Sequence, residues 1–302
     1  LIRFIQHQHI DQKKWDLCIE QSHFSLVYAF SWYLNKVSPN WHAIVLDDYE
    51  AVMPLTHNKK WGIAYLYQPF FTQQLGVFSK TEPTAELLQA FVQVITEHYK
   101  FAAIQLNESN GAIATEYPVK KAKNYVLSLN KPYAKIYKAY GSQAKRNIKK
   151  AQKFGLSIEA ITGSKAIAFY QQNKANVTKG VQTKHYQLLS NLFNELNSQN
   201  KLLVKGVFEP NGKMVAAAAF IVHKGRLVFI LGNASHSGRE MGAMHFLFDH
   251  FILQFADHAM LLDFEGSEIP GIARFFKSFG SGKTHYYKLK LNRLPWYLRW
   301  LK

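Results

Sequence analysis

Residues 214–264 read MVAAAAFIVHKGRLVFILGNASHSGREMGAMHFLFDHFILQFADHAMLLDF. The apolar run at 215–222 is the length of a strand, and His223, Lys224, Gly225 and Arg226 supply turn chemistry. A second apolar run at 227–231 predicts the returning strand of a hairpin. After a glycine-bearing loop at 232–242, Phe246, Leu247, His250, Phe251 and Leu253 to Phe255 recur at helical spacing. Leu261 to Phe264 then form a short strand. A strand reached through a helix lies parallel to its neighbour, so this stretch predicts an antiparallel meander closed by a parallel strand.

The same order occurs earlier, at 41–107. Strands are expected at 43–47 and 50–55, with Asp47 and Asp48 at the turn between them. A polar turn at His57, Asn58, Lys59 and Lys60 leads to a third strand at 63–67. The loop at 68–76 precedes a helix carrying Leu87, Leu88, Phe91, Val94 and Ile95, and a strand at 103–106 follows. Phe91 and Phe251 lie 160 positions apart, and Asn107 and Phe264 are offset by nearly as much. A repeated order at a near-constant offset points to duplication of one α+β unit.

The chain has 302 residues, which suits two domains, and 48% hydrophobic residues, which suits substantial cores. Its net charge of +17 favours anionic partners: nucleic acid, phosphate-bearing substrates, CoA or an anionic membrane. The single cysteine, Cys18, forbids an internal disulfide and fits a cytoplasmic setting. No apolar run is long enough for an integral membrane segment. The end at 294–302, LPWYLRWLK, suits either docking on the second domain or peripheral contact with a membrane. Neither zinc-ligand spacing nor a nucleophile elbow occurs, and no metal site is expected.

Charge concentrates at 141–155, GSQAKRNIKKAQKFG. A helix there places Ala144, Ile148 and Ala151 on one face with Phe154 beside them. Lys145, Arg146, Lys149, Lys150 and Lys153 cover the other face, Ser142 is the expected N-cap and Gly155 the expected stop. No acid occurs between Glu116 and Glu159, so opposite charges do not relieve this face. It is read as an anion-binding surface. A non-catalytic RNA-binding protein using the surface from Lys120 to Lys153 is the alternative. Tyr133, Tyr137 and Tyr140 are read as a packing stripe.

The order hairpin, strand, loop, helix, strand resembles the GNAT acyltransferase fold. Residues 145–151 (KRNIKKA), 263–266 (DFEG) and 275–280 (FFKSFG), in that order within a duplicated chain, resemble the FemAB-like group. That group moves aminoacyl groups onto peptidoglycan precursors. The resemblance implies an α+β chain of two tandem GNAT-like domains, 1–130 and 131–302, each a mixed, mostly antiparallel sheet flanked by helices. It implies N-acyl transfer by direct attack of an amine on an activated carbonyl, with no covalent enzyme intermediate. Acyl-CoA or aminoacyl-tRNA is the implied donor, so charged tRNA is an expected partner. A small anionic molecule is the implied acceptor.

The site residues expected from these readings fall into three sets. Glu265 and Asp263, past the last central strand, are candidate general bases. Lys277 is a candidate oxyanion stabiliser and Tyr286 a candidate acid for the leaving group. Gly238, Arg239, Gly242 and Ala243 resemble the phosphate loop of CoA-using GNATs. Lys145, Arg146 and Lys149 are candidate acceptor contacts, as is Lys36, in its Trp32-x-x-x-Lys36 context. A GNAT fold that has lost activity is the remaining alternative.

Overall fold

A computed structural model gives the structure and describes residues 1–113, 117, 119–173, 182–266 and 268–296. The chain divides into two compact units, Leu1–Ala122 with His285–Lys302, and Lys123–Thr284. Residues 285–296, expected in the second domain, group with the first unit, and 297–302 lie outside the described residues.

Unit 1 begins with strand β1 (Ile2–Ile5) and helices α1 (Gln12–Gln21) and α2 (Ser31–Val37). Strands β2 (His42–Leu46), β3 (Ala51–Leu55), β4 (His57–Lys60), β5 (Ile63–Tyr67) and β6 (Phe78–Ser79) follow. Helix α3 (Ala85–His98) leads to β7 (Phe101–Leu106). One sheet has the order β1-β2-β3-β6. The expected turn at 57–60 is instead the strand β4, paired antiparallel with β5. The reversal falls at Trp61 and Gly62, whose φ values of 50° and 79° suit a tight hairpin turn. The polarity of this stretch matches a turn, but an exposed edge strand carries the same composition. β5 runs parallel to β7, as expected for a helical crossover.

The chain enters unit 2 within β8 (Val119–Ser128). Helices α4 (Tyr133–Lys138) and α5 (Ser142–Lys153) and strand β9 (Ser157–Ala160) come next. Helices α6 (Gly163–Asn173) and α7 (Thr183–Ser198) precede the meander of β10 (Leu202–Phe208), β11 (Met214–His223) and β12 (Arg226–Ala234). Helices α8 (His236–Met241) and α9 (Ala243–Phe255), strand β13 (Leu261–Asp263) and helix α10 (Pro270–Lys277) follow. Strand β14 (Gly282–Asn292) carries the chain back into unit 1, where it pairs antiparallel with β7. The expected mixed sheet is present, in the order β8-β13-β12-β11-β10-β9, with β12 parallel to β13 and the other pairs antiparallel. Lys224 and Gly225 make the β11–β12 turn with φ values of 43° and 70°.

The VAAAAFIV run is apolar throughout because both faces of β11 are covered. Ala216, Ala218 and Phe220 join the main core with Ile148 of α5 and Phe251 of α9, while Ala217 packs with Ala166 and Phe169 of α6. Helix α5 buries Ala144, Ile148 and Ala151, as its pattern predicts. Two details differ. Gly141 occupies the N-cap and Ser142 is already helical, without a side-chain cap bond. Phe154 stands 49% exposed, because the chain leaves the helix there through Gly155 at φ +66°. In α9, Leu253 is also exposed; the helix buries His245 and Asp249, polar residues that the apolar pattern passed over. No helix among the described residues is long and apolar enough to cross a membrane.

Candidate functional site

The parallel pair β12–β13 holds for three residues, ending at Val228 opposite Asp263. On its other side, β12 shifts register against β11: Phe220 faces Phe229 and Ala219 faces Leu231, leaving Ile230 as an extra residue. Such a bulge bends and twists its strand. It sits just where β12 parts from β13, beyond the carboxyl ends of parallel strands, the place where open α/β sheets receive ligands.

A cavity of about 430 Å³ opens there. Its walls come from Phe229, Gly232, Asn233 and Ala234 of β12, from Gly238 and Arg239 of α8, and from Gly242, Met244 and His245. Gln143 and Asn147 of α5 and Gly271, Ile272, Phe275 and Phe276 of α10 complete it. It is largely apolar with a few polar groups, the usual make-up of a small-molecule site. Three of the four residues expected at a phosphate loop thus meet in one wall; Ala243 is buried beside them.

The loop expected at 232–242 is instead the end of β12 followed by α8. Ser235 caps α8 by accepting from Gly238 N at 3.0 Å. Gly238 is a packing residue: a Cβ there would lie 2.1 Å from the Val215 carbonyl oxygen. Arg239 donates to the Ala234 carbonyl oxygen at 2.7 Å, which ties its guanidinium to the cavity rim. Gly242, at φ +78°, breaks α8 from α9 and lets α9 begin against Asn147.

At the end of β13 the chain turns through Glu265 and Gly266, both left-handed at φ +57° and +50°. A non-glycine residue in that region carries strain, and strain of this kind gathers at functional sites. Gly266 fits because a side chain would run into the Lys123 carbonyl oxygen. Burial pushes the Glu265 carboxyl up to about 8, into the range of a general base at neutral or mildly alkaline pH.

Asp263 has a different setting. Its carboxylate accepts from Arg226 at 2.5 Å, from Asn124 at 3.1 Å and from Glu265 N at 2.9 Å. The pair with Arg226 is nearly enclosed, so removing one charge strands the other. Asp263→Ala is expected to cost roughly 3–5 kcal/mol in unfolding free energy, measured by denaturant titration. A change below about 1 kcal/mol contradicts this structural role.

Lys277 is exposed on the last turn of α10, its Nζ 5.8 Å from the Tyr125 ring centre. Lys145, Arg146 and Lys149 line one basic hollow on α5 with Ser142, Lys150 and Lys153. Lys145 is partly engaged, donating to the Lys138 carbonyl oxygen at 3.0 Å. The tyrosine stripe packs inward: Tyr133 donates to Asp249 at 2.8 Å, and Tyr140 is buried against Phe279. Lys36, exposed at the end of α2, and Tyr286, buried in β14, belong to unit 1. Among the described residues no cluster of histidine, cysteine and carboxylate side chains could hold a metal.

Asn147, Phe229, His245 and Phe275 line the cavity without a local sequence signal that marks them. Asn147 sits among the cations of the KRNIKKA motif, and His245 sits within an otherwise apolar helix.

No protein-family profile matches the chain, and no curated protein matches it by sequence. Solved structures do match. FemX superposes with a TM-score of 0.69 at 12% identity over 96% of this chain and 98% of that one. L-PGS from Bacillus licheniformis gives 0.57 at 10% identity, over 94% of this chain and 93% of that one. A tandem GNAT protein from the clavulanic acid biosynthesis pathway gives 0.53 at 10%, over 98% and 99%. At such identities the likeness concerns the fold: it is the α+β, FemAB-like tandem GNAT fold.

Proposed function

We propose that the chain is an N-acyltransferase whose activated donor enters the cavity where β12 parts from β13. The observation that carries this reading is the conjunction at one end of the parallel pair. A ligand-sized opening begins at Phe229, just past the end of the β12–β13 pair, and Glu265, a carboxyl raised toward neutrality by burial, follows the end of β13 by two residues without lining that opening. The fold shared with FemX and with the tandem GNAT protein accords with it.

In the proposed reaction, a neutral amine attacks the carbonyl carbon of a thioester or ester. The Glu265 carboxylate takes the proton released from nitrogen as the C–N bond forms. The tetrahedral intermediate then expels the thiolate or alkoxide, breaking the C–S or C–O bond. Positioning and field supply most of the acceleration. The donor is acyl-CoA or aminoacyl-tRNA. The acceptor is an anionic amine, and the basic hollow of α5 supplies cations for its phosphates through Lys145, Arg146 and Lys149.

The test is a melting-temperature comparison at fixed salt with acetyl-CoA, with charged tRNA and with uncharged tRNA. A donor present at about 100 times its dissociation constant adds roughly 2.7 kcal/mol. A shift with acetyl-CoA, or one with charged tRNA larger than that with uncharged tRNA, supports the reading. Equal shifts with both tRNAs, weakening steeply with salt, favour an RNA-binding protein instead.

A further inference from the structure

Trp61, in the turn between β4 and β5, is 68% exposed, and Trp296, beyond the end of β14, is 81% exposed. Both belong to unit 1, where β4, β5, β7 and β14 lie side by side. Strand register brings the two tryptophans to one end of these strands. Tyr65 of β5 lies opposite Phe101 of β7 in a parallel pair, and Phe101 lies opposite Asn292 of β14 in an antiparallel one. The chain therefore enters β5, enters β7 and leaves β14 at the same end. The turn at Trp61 and Gly62, Lys100 before β7, and Arg293 after β14 all fall there, and Arg293 N donates to the Lys100 carbonyl oxygen at 2.7 Å. Trp296 follows Arg293 by three residues.

Cations crowd the same end. Lys59, Lys60, Lys100 and Arg293 are all exposed, and Lys60 Nζ stands 4.5 Å from the centre of the Trp61 ring. Glu97, exposed in the last turn of α3, is an acid at this end, and the four cations outnumber it. No acid occurs in the sequence between Glu50 and Glu82, or after Glu268. Lysines on β4 guard an edge strand against pairing with another chain. That role does not account for a bulky apolar ring held in water at the turn. An added Cβ at Gly62 meets nothing within 4 Å, so the turn projects as a convex tip.

Tryptophan flanked by lysine is the chemistry of a membrane–water interface, where the ring sits at headgroup level and the ammonium reaches phosphate. A second copy of the chain fits poorly, because a two-fold contact would set these four cations against themselves. Single-stranded nucleic acid takes a groove that follows its backbone, which a convex tip does not offer. We propose that this end of unit 1 docks on the surface of an anionic lipid bilayer. Trp61 and Trp296 sit among the headgroups, and Lys59, Lys60, Lys100 and Arg293 face the lipid phosphates. The inference does not depend on the acyltransferase reading.

The test is sedimentation of the full chain with vesicles of phosphatidylcholine alone, and of phosphatidylcholine mixed with phosphatidylglycerol. Binding is expected to the mixed vesicles only, and it should weaken as salt is added. Lys59→Ala and Lys60→Ala should each lower the partition coefficient about fivefold. Trp61→Ala should lower it about tenfold. Brominated acyl chains should quench tryptophan emission in the wild type and quench it less in the conservative variant Trp61→Phe. Absence of binding, equal binding to both vesicles, or binding that Trp61→Ala leaves unchanged overturns the proposal. So does binding lost instead in Lys145→Ala/Lys149→Ala, which would assign the bilayer to α5. A short RNA, or a second copy of the chain, that binds through Trp61 while vesicles do not overturns it as well.

Discussion

Glu265→Gln should raise the melting temperature at pH 8 and abolish most transfer activity. The Glu265 carboxyl has an ordinary value of 4.5 and is pushed to about 8 by burial. Below pH 4.5 the folded and unfolded chains both hold the proton, and the shift costs nothing. Between 4.5 and 8 the unfolded chain releases a proton that the folded chain keeps, so stability falls as pH rises. Above about 8 the loss is complete. Glutamine never ionises, and its gain should therefore grow across that window to a few kcal/mol and vanish at pH 4.5. Activity should run the other way. The carboxylate is the base, so wild-type turnover climbs towards pH 8, and removing the base costs about 10²–10⁴-fold. Melting curves across pH, paired with mass-spectrometric detection of product, read both effects. Destabilisation at pH 8 by Glu265→Gln contradicts the account of a costly buried carboxyl.

Gly242→Ala should destabilise the protein by about 2–5 kcal/mol, the sum of left-handed strain of about 1–2 and overpacking of about 1–3. The new Cβ would lie 2.5 Å from the Asn147 carbonyl oxygen and 2.9 Å from the Asn147 Cβ. Helix α5 cannot yield at Asn147 without disturbing the contact from Asn147 to His245. Gly212→Ala is the control. It has a similar φ of +82° with nothing within 4 Å of an added Cβ, so only the strain applies. Equal losses in the two variants would show that the close approach of α5 and α9 contributes nothing.

Much of the architecture was legible in the residues. Hairpin turns such as Lys224-Gly225 announce themselves through a glycine that tolerates positive φ, and Phe91 and Phe251 mark helices whose apolar spacing survives packing. Where polarity and structure parted, the reading failed. Residues 57–60 form a strand although all four are polar, because pairing with β5 satisfies the backbone while the side chains face water. The site was legible in part. Gly238, Arg239 and Gly242 meet at the cavity, yet Gly238 is there for its closeness to Val215 rather than for an exposed N–H. His245 and Asn147 stand 98 positions apart, and no local pattern announces a hydrogen bond between two helices. The bulge at Ile230 is likewise invisible in sequence, since an extra residue in a strand changes register without changing composition.

Gly271 offers the most direct test of the central claim. It lines the cavity from the first turn of α10, and an added Cβ there meets nothing within 4 Å. Gly271→Phe should fill the opening while changing stability by no more than about 1 kcal/mol. The decisive measurement is the donor-induced melting shift of this variant beside the wild type, with acetyl-CoA and charged tRNA. The account predicts a melting temperature without ligand within a few degrees of the wild type, and loss of the donor-induced shift that the wild type shows. A shift of equal size in both proteins would place the donor elsewhere and contradict the assignment of this cavity.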